Sequence, residues 1–394
     1  VNLDEYRRAA RAWLLENTPT EDPPEGEAVA RAKRFMARLH DAGYSGITWP
    51  EQWGGQGLTQ AEERAFAAEA RAFSLPTYIF SIGLGMTGPT ILDRGDDEQR
   101  ARWLRPLLRG EEIWCQLFSE PGAGSDVASL QTKAVRDGDH WVVNGQKVWT
   151  TNAQYADWGL LLARTDVDVP KHKGLTMFVI DMRRPGVTVK PLKDMSGRSG
   201  FNEIFFDDAV IPDTDRVGEV NDGWGVAVTT LLHERLSISA GVGMSGQRDN
   251  PTSLEALREV VDTSDPLVRD ELVELHIRSR ALALFNQRLA QETRAGVFPG
   301  ARGSAAKLLL AELTLFQADL ATRLVGPESV VDGNPLGFAV SLAPAMALGG
   351  GTNEIMRNIV GERVLGLPPG PRVDKTVPFK ELKVGTQEGL GGVG

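Results

Sequence analysis

One cysteine in 394 residues, Cys115, excludes an internal disulfide, so no covalent staple holds this fold. It lies in the apolar stretch 113–118, where a buried small hydrophobe is the better reading than a nucleophile. A chain without disulfides suits a reducing cytoplasm, which is the expected location. Long apolar runs are equally scarce: none approaches the roughly 18 residues of a membrane span. The first residues show a charged amphipathic pattern rather than the apolar centre of an export signal. Clustered cations are lacking too. A formal charge of −10, a pI near 5.2 and the absence of a basic run argue against nucleic-acid binding, which needs grouped Lys and Arg for phosphate contacts. No metal-binding residues are expected. What is present is an ordinary hydrophobic fraction of 41% over a length that can build two or three domains, or one layered unit with a sizeable core.

Apolar residues recur at helical spacing over 3–15 and 27–41, and the Pro- and acid-rich 18–26 reads as the loop between them. A glycine-rich turn, Trp49-Pro50-Glu51-Gln52-Trp53-Gly54-Gly55-Gln56-Gly57, precedes another helix at 59–72. Between Trp114 and Pro212 the period changes to that of strands. Trp141-Val142-Val143 and Lys147-Val148-Trp149 flank Asn144-Gly145, the strongest short hairpin signal, and 160–162, 177–180, 187–189 and 203–206 follow. After Asn221-Asp222-Gly223, read as a helix cap, helical spacing returns over 226–246, 267–290 and 304–324. The expected class is α+β. A helical domain spans 1–113, a β domain 114–218, a helical bundle 219–366, and a Pro- and Gly-rich extension that wraps or dangles 367–394.

Four stretches bear on chemistry. Leu117-Phe118-Ser119-Glu120-Pro121-Gly122-Ala123-Gly124-Ser125-Asp126-Val127 runs from a strand into a turn whose small residues let a phosphorylated cofactor approach main-chain donors; on its own it also reads as an ordinary glycine-rich turn. Trp149 and Thr151 are two apart on a predicted strand, so both side chains meet one surface. Near the C-terminus, Gly349-Gly350-Gly351-Thr352-Asn353-Glu354-Ile355 is a glycine turn that opens a helix. Glu234 has Ala227, Thr230, Leu231, Ser237, Ile238 and Gly241 three, four and seven positions away, a small and mostly apolar face. Arg235 points about 100° further round the helix. Desolvation on such a face raises a carboxyl pKa, which suits a base; a core glutamate bonded to a buried partner is the alternative. One further motif, Gly83-Leu84-Gly85-Met86-Thr87-Gly88, spells the dinucleotide fingerprint, but Pro89 follows at once, Asp93 comes too early for a ribose acid, and helices surround it. Small residues making room between helices, or beside a substrate, explain it better.

In order and spacing, the flavin-type turn, the Lys147-Val148-Trp149-Thr150-Thr151-Asn152 strand and the glycine turn resemble the acyl-CoA dehydrogenase family over nearly the whole chain. The resemblance implies an N-terminal helical domain, a barrel-like β domain and a C-terminal four-helix bundle. It implies FAD as cofactor, an acyl-CoA substrate oxidised to the trans-2-enoyl-CoA, and an electron-transferring flavoprotein as acceptor. Cofactor contacts implied are Gln116, Phe118, Ser119, Gly124, Ser125, Trp149, Thr151, Thr352 and Glu354; substrate contacts are Ser125, Leu231 and Arg235. Most members carry the base in a Tyr-Glu-Gly-Thr loop, and here a glycine stands in the glutamate's place within Gly349-Gly350-Gly351-Thr352. A second arrangement, in isovaleryl-CoA and long-chain acyl-CoA dehydrogenases, puts the base in a Glu-Arg-Leu triplet on the helix after the β domain, which matches Glu234-Arg235-Leu236. A main-chain N–H at Gly350 or Gly351 then remains to polarise the thioester carbonyl.

Two family features are missing: an Arg with a Phe-Gly-Gln stretch after the base helix, and a later Gly-Gly-x-Gly. Residues 246–255, with Arg248 as a partial substitute, and Val325-Gly326-Pro327-Glu328-Ser329 stand in their places. Either a homodimer or homotetramer holds flavin with other contacts, or a paralogous subunit completes the site in a heterotetramer. Two other readings stay open: a non-catalytic or half-catalytic subunit, and a flavin oxidase or monooxygenase on the same fold.

Overall fold

The computed structural model describes residues 2–24, 26–240, 250–297, 300–331, 333–370 and 374–382. Among the described residues five α-helices precede the first strand: α1 (Leu3–Asn17), α2 (Ala28–Asp41), α3 (Gln60–Ala70), α4 (Gly88–Arg94) and α5 (Asp97–Leu108). Their starts are chemically marked. The Asn2 side chain accepts from the Asp4 and Glu5 amides, and Thr59 with Glu62 and Asp96 with Gln99 form capping boxes. Ala10, Leu14, Phe35, Met36 and Phe80 fill the space between these helices. The fingerprint motif is a π-helical turn, Gly83–Thr87, running into α4. A Cβ on Gly88 would stand 2.8 Å from the Trp49 ring and 2.7 Å from the Gly83 carbonyl, so the small residue does make room for packing.

Among the described residues the middle of the chain forms one eight-stranded mixed sheet: β1 (Trp114–Leu117), β2 (Lys133–Asp137), β3 (His140–Thr151), β4 (Trp158–Arg164), β5 (Leu175–Asp181), β6 (Val187–Leu192), β7 (Phe201–Pro212) and β8 (Arg216–Val217). The order is β6-β7-β3-β2-β4-β5-β8, with β1 parallel to β4. β4 and β5 are buried almost throughout, which is why Leu160-Leu161-Leu162 and Met177-Phe178-Val179-Ile180 read as unbroken apolar runs.

The hairpin expected at Asn144-Gly145 is not there. β3 runs straight through both residues, and the turn lies earlier, at Gly138 and Asp139 between β2 and β3. Asn144 and Gly145 instead form an irregularity against β7. The Asn144 amide donates to Asp208 at 2.8 Å and its carbonyl accepts from the Asp208 N–H at 3.0 Å, so a turn-forming dipeptide is used as a cross-strand clamp. β2, with charged Lys133, Arg136 and Asp137, gave too little apolar alternation to be expected.

After β8 come α6 (Gly223–Ala240), α7 (Leu254–Val260), α8 (Pro266–Arg294), α9 (Arg302–Val325), α10 (Pro335–Leu348) and α11 (Asn353–Arg363). α9 packs against α6, α8, α10 and α11 and is the centre of this half. The family class expected from sequence, helical, then sheet, then helical, is the observed one. Gly241, Arg248 and the rest of 241–249 lie outside the described residues, as does 383–394. Residues 374–382 wrap back onto the sheet: the Phe379 N–H donates to Val169 O at 2.9 Å, Lys380 N–H to Val167 O at 3.0 Å, and Phe379 caps the Arg164 guanidinium at 3.7 Å. Among the described residues no helix is long and apolar enough to cross a membrane.

Candidate active site

β1 supplies the first side chain. Trp114, Cys115 and Leu117 are fully buried, and burial pushes the Cys115 thiol well up, as befits an inert core residue. Gln116 between them is left facing the start of the helical half, where its Nε2 donates to Glu234 Oε2 at 3.3 Å. Glu234 comes from α6, on whose same face Ala227, Thr230 and Ser237 are buried. Desolvation pushes the Glu234 carboxyl above the usual carboxylate range. The Gln116 amide, the charges of Arg235 and Lys307, and the main-chain amide of Gly350 oppose this without cancelling it. Thus the helix glutamate and the glycine turn, more than a hundred residues apart in sequence, meet at one point.

The glycine turn is shaped for that meeting. Gly350 and Gly351 have φ of 70° and 93°, and a Cβ on Gly351 would stand 2.6 Å from Met356 Cε. Thr352 caps α11, its hydroxyl accepting from the Ile355 N–H at 3.3 Å. Glu354 is exposed on the first turn of α11, 3.7 Å from Arg357. Arg235 is half-buried and its guanidinium is held below its ordinary value by burial, with Glu234 opposing and Arg363 assisting the shift. Leu231 packs on the core formed by Trp114, Phe118 and Leu130. His233, on another face of α6, bonds Asp93 at 2.8 Å.

A second cluster adjoins the first. The Val148 N–H donates to Ser119 O at 2.9 Å, and Lys147 Nζ donates to Phe118 O and to Glu120 Oε1, each at 2.9 Å. Glu120 also accepts from the Gln131 and Thr132 amides at 2.7 and 2.9 Å. Burial alone would raise the Glu120 carboxyl, but Lys147 and these donors hold it below the usual range. The sequence motifs therefore contain their own brace: the Glu of one segment and the Lys of the next form a buried ion pair under the turn that presents Gly124 and Ser125. Both of those residues are exposed, and next to them Asp126 is bonded by Lys171 at 2.7 Å, which also pairs with Asp374 of the wrapped C-terminal segment.

Simple alternation does not hold between Trp149 and Thr151. β3 slips register against β7 between Lys147 and Thr150, and Trp149 has φ of 61°, a left-handed conformation costly for an aromatic residue. The bulge breaks the period of two. Trp149 packs edge-on to Phe201 with centroids 5.9 Å apart, and Phe201 is the register partner of Thr151, so the two remain neighbours through Phe201. The Phe118 ring is buried in the core and its carbonyl accepts from Lys147 at 2.9 Å.

These residues fit a flavin. Gln116 Oε1 is buried with no hydrogen-bond partner, the Trp149 indole is 55% exposed, and open space surrounds the position a Cβ would take on Gly124. An unsatisfied acceptor and a bare aromatic face flanking a small-residue turn are what a planar hydrogen-bonding ring with a phosphate tail requires. The sequence reading missed Lys307 on α9, which is 1% exposed and donates to Gly351 O at 2.6 Å. Its signal was present: a lone cation in Ser304-Ala305-Ala306-Lys307-Leu308-Leu309-Leu310.

Three family models match the chain. The N-terminal, middle and C-terminal domain models of acyl-CoA dehydrogenase match residues 2–111, 115–209 and 221–365. The chain belongs to the acyl-CoA dehydrogenase family, FAD-dependent oxidoreductases that act on CH–CH bonds. It is 39% identical to the acyl-CoA dehydrogenase FadE34 of Mycobacterium tuberculosis over 87% of its own length, and spans 47% of that longer protein. Among solved structures it is similar to the ChsE4-ChsE5 complex of Mycobacterium tuberculosis, with a TM-score of 0.77 and 30% identity over 93% of this chain and 98% of that one. It is also similar to the Tcur3481-Tcur3483 steroid ACAD, with a TM-score of 0.77 and 28% identity over the same shares.

Proposed function

We propose that the chain converts an acyl-CoA thioester to the trans-2-enoyl-CoA with Glu234 as the base that takes the α-proton. FAD, when bound, supplies the acceptor for the hydride that leaves the β-carbon. The observation that carries the reading is the desolvated Glu234 carboxylate beside Gln116 and the Gly350 amide. A base that holds its proton to higher pH than an ordinary carboxyl is matched to abstracting a weakly acidic proton near neutrality. Gly350 or Gly351 donates to the thioester carbonyl as enolate charge develops, and Gln116 keeps the carboxylate aimed. Gln116, Phe118, Ser119, Gly124, Ser125, Trp149, Thr151, Thr352 and Glu354 are the proposed flavin contacts; Leu231 and Arg235 face the substrate. An electron-transferring flavoprotein is the proposed acceptor.

Anaerobic addition of acyl-CoAs to the flavin-loaded protein tests this. Bleaching of the flavin absorbance is expected with branched or polycyclic acyl-CoAs, in keeping with the likeness to a steroid enzyme. A full panel of short, branched, long and polycyclic thioesters that leaves the spectrum unchanged, while oxygen is consumed with some other reductant, would replace this reading with an oxidase.

A paralogous partner is a second proposal, favoured by the two missing family segments and by the likeness to a two-protein complex. Co-expression with a paralogous subunit is then expected to raise flavin content to near stoichiometric from a low value in the chain purified alone. Full flavin in the isolated chain would instead establish a self-sufficient homo-oligomer.

A further inference from the structure

We propose that Lys307 is a positioning residue for this reaction: its ammonium grips the Gly351 carbonyl and so fixes the glycine turn against the Glu234 carboxylate. The proposal rests on Glu234 being the base. Lys307 Nζ donates to Gly351 O at 2.6 Å from the middle of the bundle, between Ser304 and Ala311, both buried on the same helix. A two-glycine turn with both residues at positive φ has no side chains with which to hold its own conformation, and glycine loses more freedom on ordering than any other residue. Some external anchor must select the orientation of its peptide planes, and Lys307 contacts the plane next to the Gly350–Gly351 unit.

Its charge has a second effect. Around Glu234 stand Gln116 from β1, Arg235 from α6 itself, Lys307 from α9 and the Gly350 amide from the turn; Arg363 lies behind Arg235 and Glu354 behind Lys307, both on α11. Of the two cations, Arg235 leaves its helix in another direction, whereas Lys307 also holds the turn that touches the base. An uncharged side chain of similar length would fill the same space without the cost of burying an ammonium, so packing alone does not explain a lysine here.

Lys307→Met is the test, compared with wild type and with Glu234→Gln. Expected for Lys307→Met are a fall in kcat on the order of 10²-fold, as for a reacting group displaced by about an ångström, a smaller change in KM, and an acid limb of kcat/KM moved to higher pH. The sign follows from removing a cation that favours the ionised carboxylate. Faster hydrogen exchange in the peptide covering 349–353, with the rest of the bundle unchanged, is the readout that does not depend on turnover. An unchanged acid limb together with unchanged exchange at 349–353 would overturn the proposal. Should Lys307→Met fail to fold, Lys307→Arg and Lys307→Gln replace it: Arg is expected to keep the wild-type acid limb and Gln to lose it, and equal behaviour of the two overturns the proposal. Full turnover in Glu234→Gln would sink the base assignment instead, while the exchange data would still report whether Lys307 anchors the turn.

Discussion

Glu234→Gln is expected to lower kcat for acyl-CoA oxidation by roughly 10²- to 10⁴-fold, the range that a positioned general base contributes. Glutamine keeps the shape and can still meet Gln116, now 3.3 Å away, so flavin content and KM are expected to stay near wild type. Stability moves in the opposite direction from activity. Glu234 holds its proton to higher pH in the folded chain than in the unfolded one, so its ionisation opposes folding, and stability falls as pH rises from the ordinary carboxylate range through the raised value. Glutamine removes that penalty. The variant is therefore expected to unfold at the same or a higher temperature near neutral pH, with the difference vanishing in acid. Stopped-flow reduction under anaerobic conditions and thermal unfolding over a pH series check both halves. Undiminished flavin reduction by the variant would end the assignment, and a markedly less stable variant would mean that the carboxylate is a structural partner.

How much of this was legible in the chain depends on the range of the interaction concerned. Helices with apolar stripes, α1 and α2, were legible because that signal lies within a few residues. Glu234 stood out because the helix period reports the composition of its own face. What it touches was not legible: Gln116, Lys307 and Gly350 come from a strand, a helix and a turn that the sequence separates by scores of residues. Asn144-Gly145 misled for the same reason. Its local preference is for a tight turn, and tertiary pairing with Asp208 overrode it. Trp149 shows the limit of periodicity, since a single bulge interrupts the period of two that had put it on one face with Thr151. The family likeness supplied the order of the three motifs; the brace between Glu120 and Lys147, though spelled in two of them, became visible only once β3 lay beside the turn.

That brace makes Lys147→Met the substitution with the largest expected cost in stability, about 3–5 kcal/mol, the range for breaking a buried ion pair by removing one partner. Lys147 is fully buried and Glu120 nearly so, at 0% and 8% side-chain exposure, and the ammonium also satisfies the Phe118 carbonyl. Methionine fills most of the volume but leaves Glu120 as a buried charge with two amide donors and no bonded cation, only the more distant charge of Arg164. The deficit should depend on pH in a defined direction. In the wild type the lowered Glu120 pKa gives stability that is present above the ordinary carboxylate range and lost as pH falls through the folded value. Without Lys147 the carboxyl titrates upward and takes a proton readily, so the gap between variant and wild type is widest near neutrality and narrows in acid. Because Glu120 opens the turn that carries Gly124 and Ser125, its main chain bonded both ways to Ala123, and Lys147 joins Phe118 to β3, flavin retention should fall along with the melting temperature. Glu120→Gln with Lys147→Met separates the causes: replacing both charges should recover much of the stability, since the isolated carboxylate is gone. A double variant as unstable as Lys147→Met alone would show that the ammonium's bond to the Phe118 carbonyl, and not the ion pair, holds the turn.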